Sequence, residues 1–199
     1  MEVRKGTLRI LGLAVAAGFM FATAAPGIAA ANIVKNGSLE NLKGRWINTR
    51  CNYMAVRAGS TAIANWTVPS SNLGELAWGR ATCDGFVASK GALFVDLTGF
   101  GANARNGTLK QQLTTRAGKR YKFSIDVCTC NDDGVSVKVG SKTLKLSPGA
   151  PFAVGRTPWR SLTGKFTGDR RHTKPTLKIM HTTPTAQIVF IDNVVINSA

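Results

Sequence analysis

Acidic side chains are scarce in this chain. It holds 10 Asp and Glu against 26 Lys and Arg, a formal charge of +16 over 199 residues. That scarcity leaves few carboxylates for a glycosidase pair or for a metal cage built from many acids. Asp96, Asp126 and Glu75 are the acids that such a pair would have to use, and no spacing brings them together. Histidine is also rare, at two residues. Neither His172 nor His181 lies at zinc-ligand spacing from a cysteine pair. There is no Gly-x-Ser-x-Gly, no His-Glu-x-x-His and no phosphate-binding glycine loop. Helical periodicity, internal repeats and low-complexity tracts are missing too. The residues therefore point away from an enzyme.

One long apolar run is present, and it lies at the start. Arg4, Lys5 and Arg9 precede an apolar stretch from Ile10 to Ala25, and Ala29-Ala30-Ala31 follows. This is the pattern of a signal peptide cleaved after Ala31. The stretch is short for a spanning helix. Residues 1–31 are read as leader and residues 32–199 as a single exported, soluble domain. The leader carries three basic residues and one acidic one, so the remaining domain keeps a charge of +14. Such a balance attracts anionic partners: acidic polysaccharide, wall polymer, lipid headgroups or nucleic acid. No nucleic-acid reading motif accompanies the charge, and export argues against that partner. The cations are scattered, so a basic surface without a specific partner is the competing reading.

The four cysteines, Cys51, Cys83, Cys128 and Cys130, all follow the leader. An even count in an exported chain suggests disulfides, and four cysteines allow three connectivities. The favoured pairing is Cys51–Cys83 with a tight Cys128–Cys130 bridge.

Tyr121, Phe123, Ile125 and Val127 alternate with polar residues, as do Val135, Val137 and Val139: the period of half-buried strands. Gly140-Ser141 fits a type II′ hairpin turn, with Leu144 and Leu146 continuing the partner strand. Further strands are expected over 93–98, 108–114, 160–167 and 176–181. The run from Gln187 to Ile196 is apolar on both faces, like a covered central strand. Gly and Pro punctuate the gaps, including Ser147-Pro148-Gly149. The sum is an all-β sandwich. Residues 41–90 differ: Trp46, Tyr53, Trp66 and Trp78 are set among polar residues, which reads as long loops around one or two short strands.

Both ends of the domain carry a misplaced acid. Glu40 follows Asn36-Gly37-Ser38-Leu39, and Asp192 sits within Phe190-Ile191-Asp192-Asn193-Val194. A carboxylate in such company must be paired, hydrogen-bonded or metal-bound. The two ends are therefore expected to meet.

The order of these motifs resembles a known group. Asn36-Gly37-Ser38-x-Glu40, Ile63–Val68, Leu93–Gly99, Gly107-Thr108-Leu109-x-Gln111, Thr115–Ser124 and Asp192-Asn193-Val194 are similar to the DUF642 group and to bacterial choice-of-anchor C domains. These belong with galactose-binding-domain-like jelly rolls that include many carbohydrate-binding modules. The resemblance implies a jelly-roll β-sandwich of eight or more strands, secretion, and affinity for cell-wall or matrix polysaccharide. It also implies that Glu40 and Asp192 flank one structural calcium ion. The competing reading is a carboxylate pair satisfied by N–H groups or by Lys and Arg. Sugar rings stack on flat aromatic faces with polar groups nearby. Trp46, Tyr53, Trp78 and Arg80 are the ligand-binding candidates, Trp66 is expected in the core, and the alternative is that all the rings are packing residues. A secreted non-catalytic polysaccharide-binding module is the first functional expectation. A structural or adhesive protein held at anionic surfaces by charge is the second.

Overall fold

Alternating apolar residues enter one shared core, as the strand period demands. The computed structural model describes residues 31–72, 74–100, 107–128, 134–182 and 188–199. Residues 1–30 of the expected leader lie outside these, as do Cys130 and the Asp132-Asp133 turn. Among the described residues there are eleven strands and no helix. None of them therefore forms a helix long and apolar enough to cross a membrane.

The strands form two antiparallel sheets of a jelly-roll sandwich. The large sheet holds β1 (Tyr53–Val56), β2 (Leu76–Arg80), β3 (Leu93–Asp96), β5 (Arg120–Cys128), β8 (Ser147–Val154), β9 (Thr157–Thr167) and β11 (Phe190–Ser198). Their spatial order is β1-β2-β3-β11-β5-β9-β8. The small sheet holds β4 (Thr108–Gln112), β6 (Val135–Val139), β7 (Lys142–Thr143) and β10 (Thr176–His181), in the order β4-β10-β6-β7. Trp78, Val95, Ile125 and Ile191 of the large sheet meet Leu109, Val137 and Ile179 of the small one between the layers. A second, smaller cluster covers part of the large sheet's outer face: Tyr53, Phe94, Trp159 and Phe190, roofed by Phe86 and Ala88.

The final strand is central, between β3 and β5, as its two apolar faces require. Phe190 faces the outer cluster and Ile191 faces the inner core. Strict alternation would then turn Val194 and Ile196 away from Ile191's face. A β-bulge between Asp192 and Val195 absorbs one residue, with Asn193 at φ 47°. The extra residue restores the pleat, so Val194 and Ile196 reach the core.

Gly140-Ser141 makes the β6–β7 turn, with Gly140 at φ 62°. The partner strand is shorter than expected: β7 ends at Thr143, and Leu144 turns inward to the core. Ser147-Pro148-Gly149, read as punctuation, instead opens β8. Exposed over nearly its whole length, β8 is an edge strand. Its Pro148 and Pro151 are tolerated because an edge leaves N–H positions unpaired, and they blunt that edge against further pairing.

The two ends meet. Ile33 N–H donates to Ile196 O at 2.9 Å, and Val194 N–H donates to Gly37 O at 2.7 Å. The Asn32 side chain donates to Val194 O and accepts from Ile196 N–H. Gly37 is there because nothing larger fits: an added Cβ would lie 2.0 Å from Val194 O. Gly37→Ala should lower stability by about 2–3 kcal/mol through forced backbone displacement. Chemical denaturation checks this, and an unchanged midpoint would show that the clasp bears no load.

Candidate functional site: the outer face of the large sheet

The misplaced acids share one task. Glu40 Oε1 accepts from Ala92 N–H and Leu93 N–H, each at 2.8 Å. Asp192 Oδ2 accepts from Lys90 N–H at 2.9 Å and from the Ser89 hydroxyl at 3.0 Å. The loop 89–93 thus hangs between the two ends of the domain. Gly91, at φ 79°, lets it approach: a Cβ there would lie 2.4 Å from Glu40 Oε1.

Asp192 also faces a second acid. Asp126 is its register partner on β5. Asp126 accepts from Ser89 Oγ at 2.8 Å, from Asn193 Nδ2 at 3.0 Å and from Ser161 Oγ. Both aspartates are buried. Burial, above all, pushes the Asp192 carboxyl up to about 7, with the Asp126 charge adding to it. The Ser89 hydroxyl lies within reach of both carboxylates but has a single proton to give. The second contact calls for a proton on a carboxyl or for a cation. Among the described residues no group of three or more His, Cys, Asp or Glu could hold a metal. Glu40 and Asp192 converge on one loop, and each carboxylate is met there by backbone N–H donors.

Glu75, Asp96 and Asp169 and both histidines have structural surroundings. Glu75 pairs with Arg57 at 3.1 Å. Asp96 accepts from Thr98 N–H at 2.8 Å and from the Thr98 hydroxyl, and burial holds its carboxyl up at about 6. His172 is exposed beside Asp169 at 3.4 Å. His181 is 2% exposed, neither ring nitrogen is hydrogen-bonded to the described residues, and burial holds its pKa down.

The four aromatic-site candidates do not form one surface. Trp78 is fully buried between the sheets and packs on half-buried Trp46 at 5.4 Å. It has no face for a sugar, which corrects that expectation: its place on β2, directly opposite Met54, turns it inward. Tyr53 pairs with Gly79 and points the other way, into the outer cluster against Phe94 and Phe100. Burial pushes its hydroxyl up to about 12. Arg80 is exposed at the end of β2. Trp66 is in the core, as expected, and donates to Asn36 O at 2.9 Å.

The Cys51–Cys83 disulfide is present, with Cα atoms 5.2 Å apart. It ties the start of β1 to the segment after β2 that roofs the outer cluster. Cys128 is disulfide-bonded as well, and its expected partner Cys130 lies outside the described residues.

The roof stops short of the far half of the outer face. There β5 presents Lys122 and Ser124, β9 presents Thr163 and Lys165, and β11 presents Asn197, around a hollow of about 770 Å³. Lys145, on the approach to β8, completes it. Lys122 and Lys165 stand directly opposite one another across the β5–β9 pair. Like charges so placed are destabilising. Among the described residues no Asp or Glu lines the hollow and none of the three lysines has a salt-bridge partner. The alternating pattern of β5 showed that Lys122 faces outward. The pairing that sets it against Lys165 carried no sequence signal.

No family model matches the chain. In sequence it is 30% identical over 166 residues to Halomucin of Haloquadratum walsbyi, an alignment that takes in 82% of this chain and 2% of that protein. The chain therefore spans about 2% of the length of the curated relative it matches. In structure it is similar to a Stig cyclase from Fischerella sp. TAU, solved in complex with a pyrrolidinylidene-indole. The TM-score is 0.58 at 13% identity, covering 86% of this chain and 98% of the cyclase. At that identity the likeness shows the jelly-roll fold alone. A carbohydrate-binding module that recognises mannan aligns at a TM-score of 0.32 and 12% identity, over 74% of this chain and 90% of its own. A score that low bears on neither fold nor ligand.

Trp78→Ala should cost about 3–5 kcal/mol, since it empties a large core volume. Trp78→Phe should cost far less, because it also removes a buried indole N–H that has no hydrogen-bond partner among the described residues. Thermal melting of both variants checks this, and an unaltered Trp78→Ala midpoint would contradict the inward placement.

Proposed function

We propose that this chain is a secreted, non-catalytic module that binds polysaccharide, and that its ligand is an acidic polymer laid on the open half of the large sheet. The observation that carries this is the hollow of Lys122, Lys145 and Lys165, three cations with no salt-bridge partner among the described residues and two of them in direct cross-strand opposition. An anionic ligand would relieve that repulsion. No exposed ring lines the hollow, since Phe123 is buried, so it lacks the stacking platform that single-stranded nucleic acid uses. A polymer bearing carboxylates or sulfates fits better. The Cys51–Cys83 disulfide is in keeping with an oxidising compartment outside the cytosol. So is a sequence relative that carries a mucin's name. Membership of the DUF642-like group is part of the proposal, supported by the meeting of the Asn36-Gly37 and Asp192–Val194 motifs.

The second reading is adhesion by charge alone. It is favoured by the charge of +14 that residues 32–199 carry and by another basic hollow at Lys35, Lys43 and Lys110. The position of the responsible lysines separates the two. Lys122→Glu/Lys165→Glu should weaken binding to polygalacturonate more than tenfold and flatten its dependence on salt. Arg50→Glu/Arg156→Glu, with the same change of charge at exposed sites elsewhere, should have little effect. Equal losses in a binding titration would favour the second reading.

The proposal includes one structural calcium ion held by Glu40 and Asp192, where its charge would neutralise the buried acids. Without an ion, burial favours the neutral Asp192 carboxyl. Its contribution to stability is then complete below about pH 4 and lost as pH rises through about 7. Calcium should therefore raise the melting temperature at pH 8 relative to chelator, and Asp192→Asn should abolish the difference. Identical melting curves with and without the ion would remove calcium from the reading.

A further inference from the structure

The small sheet carries a lysine row of its own. Lys178 on β10 is the register partner of Lys110 on β4 and of Lys138 on β6. Three lysines therefore stand side by side across three neighbouring strands, a row about 10 Å long at the ordinary strand spacing. All three are partly exposed, while Leu109, Leu177, Ile179 and Val137 beside them point into the core. The row thus lies on the outer face of the small sheet. No acid stands between its members, and among the described residues none of them has a salt-bridge partner.

The large sheet's cations, Lys122, Lys165 and Lys145, lie on the outer face of the other layer. The sandwich core separates the two sets. Cross-strand opposition of like charges costs stability wherever it occurs. Here it occurs on both outer faces of one small domain, in both cases without acids interleaved. One face is enough to bind one chain.

We infer that the protein is bivalent: each outer face holds a separate strand of acidic polysaccharide, and the domain cross-links the two. The argument rests on the reading proposed above for the large sheet and extends it to a second site. Charge complementarity selects the occupant. Each row offers closely spaced ammonium groups to a polymer with anionic groups at short, regular intervals. On its own strands the small-sheet row has Thr108, Gln112, Ser136, Thr176 and Met180 for outward neighbours, and Trp66, which shares a hollow with Lys110, is buried. With no ring for base stacking, it too favours a sugar polymer over single-stranded nucleic acid. Packed sheets lie about 10 Å apart before side chains are counted. A stiff chain on one face is thereby kept from the other, and each face meets its own strand.

The test is light scattering as the full-length protein is titrated into polygalacturonate, with binding followed in parallel by co-sedimentation. A cross-linker gives a scattering maximum at an intermediate ratio that falls again in excess protein. Lys122→Glu/Lys165→Glu and Lys110→Glu/Lys178→Glu should each keep the weaker, single-face binding, more than tenfold below the wild type, and lose the maximum. The quadruple variant should not bind. All three should melt close to the wild type, because each exchanges one like-charged cross-strand pair for another on an exposed face. Wild-type binding without a maximum, or a maximum retained in either double variant, would overturn bivalency. Stronger scattering with single-stranded DNA or with anionic vesicles than with polygalacturonate would overturn the choice of occupant. A wild type that binds no acidic polysaccharide would instead overturn the function proposed above.

Discussion

A carboxylate from each end of the domain holds the same short loop, and much of the architecture depends on that. Glu40 takes the N–H groups of Ala92 and Leu93, while Asp192 takes Ser89 and the N–H of Lys90. The loop leads straight into β3, which pairs with the final strand. The N-terminal segment is in turn hydrogen-bonded to that strand through Gly37, Asn32 and Ile33. First segment, middle loop and last strand are thus tied at one place. Residues more than 150 positions apart become neighbours there.

That closure divides the outer face of the large sheet. One half lies beneath residues drawn over it by the Cys51–Cys83 bridge and by the 89–93 loop, and it buries Tyr53, Phe94, Trp159 and Phe190. The other half stays open and displays lysine. The boundary is visible along β5. Asp126 and Cys128 are covered, whereas Lys122 is exposed, although all three point the same way by pleat. A large aromatic payload steadies the covered half. The open half carries unrelieved like charge, which is a cost to the fold unless something anionic shares it.

The strands were legible in the sequence wherever one face is buried and the other wet. β5, β6 and β10 alternate cleanly, and Tyr121, Phe123, Ile125, Val127, Val135, Val137, Val139, Leu177 and Ile179 all reach the core, while Met180 faces outward. The central place of β11 followed from its two apolar faces. The edge strand β8 was not legible, because an edge needs neither alternation nor a buried face and can carry proline. Trp78 and Tyr53 show a different limit. They occur in a stretch without strong periodicity, and only pairing with Met54 and Gly79 determines which way each ring points.

The sequence by itself determined the all-β class, the excess of positive charge and the meeting of the ends. Each of these follows from local chemistry: residue period, formal charge and the cost of burying a bare carboxylate; which of three cysteine connectivities forms was left to the fold, and Cys51–Cys83 is the favoured one. The tertiary structure alone decided that Trp78 is core, that Asp126 joins Asp192, and that Lys122 faces Lys165 while Lys178 stands between Lys110 and Lys138. Those are facts of register between strands distant in the chain. Scattered lysines become rows only when the hydrophobic faces have fixed how the strands align.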